Sequence, residues 1–235
     1  MRPLAQIISQ QFRRIPEPIK VRVEEVFHDL KYAVPFIPST AYDSFRRGLK
    51  RLGEVDHSQD SKAVYRDLSF AIVPIGTATE RNQNNPDYPF HEGLIYEEMS
   101  EVSRDQGFEG VSRYVNLGEA IDRYHEAYER GKRINPPDGY AKYEIALAKA
   151  YFQLGIEFGK EEFSEDRGAQ IKWDIFVKEK RTGITSLGEE FNFNPHHMFQ
   201  QAYEHLHHAI NLLEKNKQYV SPDLLQMKES VLDKL

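Results

Sequence analysis

The chain has 235 residues, of which 40% are hydrophobic and 29% charged, so it can bury a core and does not have the composition of a disordered polymer. The absence of cysteine excludes disulfides, thiolate zinc sites and cysteine nucleophiles, and fits a reducing cytoplasm. The net charge of −6 is uneven: residues 1–51 hold ten Lys/Arg against five Asp/Glu, a net of +5, which leaves −11 on the remainder. A basic head on an acidic body points to an acidic partner for the head, or to docking of head on body.

Residues 1–16 carry three arginines and no acid. Leu4, Ile7, Ile8, Phe12 and Ile15 make one apolar stripe, the pattern of a docking helix; a transit peptide has the same chemistry. Residues 19–23 alternate like a strand, but Val23, Val26, Phe27 and Leu30 recur at helical spacing after Pro18, and a helix is expected. Residues 39–52 predict a helix capped by Ser39 or Thr40, with Tyr42, Phe45, Leu49 and Leu52 on its apolar face. Its other side carries Arg46, Arg47, Lys50 and Arg51, a candidate patch for binding a partner. Residues 62–73 predict a second helix, which Pro74 is expected to stop. The apolar run at 70–75 is far shorter than the roughly 20 residues of a membrane span, and no membrane partner is expected.

Residues 76–93 are polar and Asn-rich with two prolines, and read as a long loop or boundary. Two units follow from this, a basic helical segment over 1–80 and an acidic helical body over 90–235, which can pack as one. A helix is expected over 92–106, another over 116–134 and another over 140–159, the last two joined by the Pro-Asp linker at 135–139. Ile171, Trp173, Ile175 and Val177 alternate with period two, and 171–187 reads as a hairpin, with a helix as the alternative. The last helices are expected over 194–216, opened by Asn194 and Pro195, and 221–235, opened by Ser221 and Pro222. The expected fold is therefore mainly α, in antiparallel helical pairs.

Two stretches share the plan of helix, Pro-Asp linker, helix. Ala120, Tyr124 and Ala127 repeat in spacing as Ala202, Leu206 and Ala209, and Leu147, Ala148, Ala150, Tyr151 and Gly155 supply a complementary pattern. Over about 75 residues this resembles the tetratricopeptide repeat family. The pattern departs from the family at Glu144, where a large aromatic is expected, and in the longer turn at 131–139. The resemblance implies a grooved surface that binds a peptide or partner protein. An unrelated helical bundle with alanine-rich seams accounts for the same residues.

Three of the nine histidines fall within 205–208. Glu25/His28 and Glu204/His207 have the Glu-x-x-His spacing of helical-bundle metal sites; Asp122/His125 is a weaker relative, and Glu97, Glu98 and Glu101 are further carboxylates. Both pairs sit beside the apolar stripes of their helices, where a metal core would need them inward. His205, His207 and His208 are therefore expected to be structural or interfacial, and no metal or other cofactor is expected. His91 and Glu92 could do acid–base work from a loop, but capping is the simpler role. Nucleotide-binding and nucleophile-elbow signatures are absent. The leading expectation is a non-enzymatic interaction module for a protein or peptide partner, with a homo-oligomer as an open alternative. The alternatives are a nucleic-acid- or ribosome-associated factor using Arg46, Arg47, Lys50 and Arg51 beside Phe12, Tyr32, Tyr42 and Phe45, and a carboxylate/His metal enzyme.

Overall fold

Helical periodicity governs the architecture. The computed structural model describes residues 40–104, 113–134, 140–160, 170, 171, 173 and 194–235. Among these, seven helices run in order: α1 (Ala41–Gly53), α2 (Ser61–Arg81), α3 (Asp87–Arg104), α4 (Arg113–Ile134), α5 (Ala141–Phe158), α6 (Pro195–Lys215) and α7 (Pro222–Leu232). No strand occurs among the described residues. Consecutive helices pack as antiparallel neighbours, so α3 and α5 run in the same sense with α4 between them. No described helix is long and apolar enough to cross a membrane.

Short polar side chains set the helix starts by satisfying orphan backbone donors. Thr40 Oγ1 accepts from the Asp43 amide at 3.1 Å, and the Thr40 amide donates to Asp43 Oδ2 at 2.9 Å. Asp60 Oδ1 takes the amides of Lys62 and Ala63 ahead of α2. Asn194 and Ser221 cap α6 and α7, with Pro195 and Pro222 in their first turns as expected.

Pro74 does not end α2, which continues to Arg81. Proline lacks the amide that the carbonyl of residue 70 would otherwise accept from. That carbonyl is supplied from outside: Arg51 Nη1 of α1 donates to the Phe70 oxygen at 2.9 Å. The expected loop over 76–93 shrinks accordingly. Residues 76–81 complete α2, and residues 87–93 open α3. The turn between them is built by asparagines: Asn82 Oδ1 accepts from the Asn84 amide, and Asn85 Oδ1 from the Asp87 amide. Residues 170, 171 and 173 are helical, which replaces the expected hairpin at its start; its other residues, 172 and 174–187, lie outside the described ones. Trp173 is buried edge-on against Phe158, with ring centroids 5.0 Å apart.

The core crosses the helix pairs. Val64, Leu68, Ala71 and Ile75 of α2 meet Ile95 and Met99 of α3. Leu117, Ala120, Ile121 and Tyr124 of α4 meet Leu147, Ala150, Tyr151 and Leu154 of α5, with Met198, Phe199 and Ala202 of α6. Small residues set the spacing. A Cβ on Gly155 would lie 2.7 Å from the Phe199 ring, so glycine is what lets α6 approach α5 there.

Two measurements test these contacts. Ala127 and Ala209 are fully buried, so Ala127→Leu or Ala209→Leu should each cost about 1–3 kcal/mol in urea denaturation by overpacking. Arg51→Ala should cost about 0.5–1 kcal/mol in the native sequence and close to nothing beside Pro74→Ala, where an alanine amide serves the Phe70 carbonyl. Equal costs in both backgrounds would mean that Arg51 does not serve that carbonyl.

Candidate functional site

Two arrangements flank α5, one buried and one open. The buried one begins with Glu144, which stands on the otherwise apolar stripe of Ala141, Ala148, Tyr151 and Phe158 and is 1% exposed. A carboxylate there needs donors. His205 and His208, three residues apart on α6, each donate from Nδ1 to one of its oxygens, and the Tyr128 hydroxyl of α4 donates to the same group. Burial pushes the Glu144 pKa up, but the hydrogen bonds and charge of His205, with His208 and Tyr128, more than offset this and hold it below the usual carboxylate range. His125 of α4 lies next to the pair, its Nε2 2.9 Å from the Tyr151 hydroxyl and its ring 5.5 Å from that of His205. Burial and the neighbouring His205 push the His125 pKa down to about 3, against a smaller opposite effect of Glu144. Tyr151 stacks on His205 at 5.7 Å, closing the cluster.

The three histidines of 205–208 therefore separate. His207 is exposed, stacks on Tyr203 and lies 3.1 Å from Asn211. Glu204 is also exposed and accepts from Gln200 and Gln201. Glu25 and His28 lie outside the described residues, as do Phe12 and Tyr32. No group of three or more His, Asp or Glu among the described residues converges in a way that could hold a metal ion. His91 and Glu92 lie on α3, where a loop was expected, and diverge: His91 Nδ1 is 2.7 Å from the Asp87 carbonyl, whereas Glu92 is buried against Thr79 and Arg123. Burial raises the Glu92 pKa, and Arg123, at 3.5 Å, offsets this in part. Arg130 beside it closes the end of α2, donating to the Thr79, Asn82 and Asn85 carbonyls.

Arg46, Arg47, Lys50 and Arg51 are all exposed on α1. Arg47 donates to Ser44 at 3.1 Å, Lys50 lies 3.7 Å from Glu54, and Arg51 is engaged with Phe70.

The open arrangement is a groove of about 410 Å³ between the parallel helices α3 and α5, over α4. Phe90, Tyr124 and Ala146 form its floor; Leu94, Glu97, Glu98 and Glu101 form the α3 wall, and Lys142, Ile145 and Lys149 the α5 wall. Tyr124 donates to Glu97 at 2.6 Å. Lys142 pairs with Asp87 at 2.6 Å and sits over the Phe90 ring. The sequence offers the three glutamates only as carboxylates for a metal site, and implies a groove only through the repeat resemblance, without its lining; it marks Glu144 only as a departure from a repeat pattern. The signal at Glu144 was a lone carboxylate on an apolar stripe facing a helix with histidines three residues apart.

Compared with family models, with curated proteins and with solved structures, the chain matches none.

The buried cluster sets a pH dependence. Unfolded, His125 takes a proton near pH 6.5; folded, only near pH 3. Between these values the unfolded state holds the extra proton, so stability falls as pH falls, by up to about 1.4 kcal/mol per unit. Glu144 acts in the same direction at lower pH: its contribution is present above the ordinary glutamate pKa and is lost as pH falls through its depressed folded value. Urea denaturation at pH 7.5 and 5.0 should show this loss, and His125→Gln should reduce it.

Proposed function

We propose that this chain is a non-enzymatic interaction module that takes a peptide segment of a partner protein in the groove between α3 and α5. The observation that carries the reading is the groove itself, whose apolar floor of Phe90, Tyr124 and Ala146 lies between two charged walls and beside the 40% exposed Leu94. Clefts of this size that combine apolar and polar groups suit several side chains of a guest. The tetratricopeptide-like spacing supports the same reading, since α3 with α4 and α5 with α6 would be two successive units and the groove would lie between their first helices. Metal chemistry ranks behind, because Glu204 and His207 face solvent and bond locally. Nucleic-acid binding through α1 also ranks behind, because Arg51 and Lys50 have partners within the fold.

The test is selection of peptides from a displayed random library on the whole protein. Selected peptides should bind Leu94→Arg at least tenfold more weakly than wild type and bind Phe70→Arg, changed on the exposed face of α2, unchanged. Equal loss in both variants, or a library that yields no binder, would remove the reading.

A further inference from the structure

Resting on the groove reading, we infer that the guest is a basic, amphipathic peptide with an apolar anchor about three residues from a lysine or arginine. The α3 wall is polarised along its length. Leu94, beside Phe90 of the floor, makes its first part apolar, and Glu97, Glu98 and Glu101 make its second part acidic. Spacings of three, four and seven residues put Leu94, Glu97, Glu98 and Glu101 on one helix face. Among the described residues neither Glu97 nor Glu98 has a lysine or arginine partner. Glu97 is met by the Tyr124 hydroxyl and Glu98 by His57 at 3.4 Å. Glu101 lies 3.9 Å from Arg113. Burial raises the Glu98 pKa, and His57 offsets this in part.

A cationic side chain of a guest meets that acidic stretch with charge complementarity, and an apolar side chain meets the Phe90 and Leu94 end. The distance between the ends fixes the guest's spacing. Leu94 to Glu101 is seven helical residues, about 10 Å at about 1.5 Å per residue. A peptide in the polyproline II conformation covers about 9 Å in three residues, one full turn, so side chains three apart share a face. On the opposite wall Lys149 is exposed and has no ion pair among the described residues, so it opposes a guest that is basic on both edges and sets which edge faces α3.

Fluorescence anisotropy with three labelled ten-residue peptides tests this on the whole protein. The first carries leucine with arginine three residues on, the second has glutamate in place of arginine, and the third has serine in place of leucine. The first should bind at least tenfold more tightly than the other two and weaken as salt rises. The variant Glu98→Gln/Glu101→Gln should lose at least tenfold for the first peptide, with unchanged circular dichroism. Equal binding of the glutamate peptide, or undiminished binding of the first peptide to the variant, overturns the charge assignment and leaves the groove reading standing. If none of the three binds but library-selected, Leu94-dependent peptides do, the charge assignment again falls alone; if neither class binds, both fall.

Discussion

One carboxylate constrains three helices. Glu144 is carried by α5, receives two imidazoles from α6 and one phenol from α4, and has almost no contact with water. A buried charge stripped of its partners costs on the order of 3–5 kcal/mol, so the register of α6 against α5, and of both against α4, is tied to this group. Apolar packing alone tolerates a shifted register at about 1–3 kcal/mol per overpacked contact, as at Gly155 beneath Phe199. The polar cluster does not, since the carboxylate meets its donors in one alignment only. Tyr151 and His125 extend that alignment by stacking and hydrogen bonding.

The groove follows from the same packing seen from the other side of α5. Once α5 is fixed against α6 and α4, its outward residues Lys142 and Lys149 are fixed too. Close approach of α3 to α4 sets the second wall: a Cβ on Gly93 would enter the Tyr124 ring, so the absence of a side chain there lets Tyr124 lie flat enough to become floor. Tyr124 then reaches Glu97, and the burial that makes it part of the core, together with that carboxylate, raises its hydroxyl pKa well above the ordinary phenol range. Floor and wall are thus one hydrogen-bonded unit, firm before any guest arrives.

Most of the architecture was readable from the sequence because it rests on local rules. Periodicity placed the helices, and Asn194, Pro195, Ser221 and Pro222 marked two starts correctly. The failures have non-local causes. Pro74 was read as a stop because its cost is visible in the sequence, whereas the Arg51 donor that offsets it sits 23 positions earlier and on another helix. The asparagine-rich stretch was read as a long loop because helix ends and turns share the same residues; the arginine that closes α2, Arg130, lies on α4. His205 and His208 were recognised as a cluster, and Glu144 as an oddity, but nothing in one dimension pairs positions some sixty residues apart. The lining of the groove is illegible for a related reason: it comes from three helices that the sequence does not juxtapose, with Phe90 and the glutamates from α3, Tyr124 from α4 and Lys142 and Lys149 from α5.

The Arg51–Phe70 contact has a bearing on how the chain is made. Synthesis runs from the N-terminus, so α1 and its guanidinium leave the ribosome ahead of residue 74. The helix with the missing amide is never required to form ahead of the group that completes it. Were the order of the two helices reversed along the chain, α2 would emerge with an unanswered carbonyl and a preferred break at residue 74. The sequence order of α1 and α2 is thus suited to vectorial folding, with the stabilising side chain already waiting for the helix that needs it.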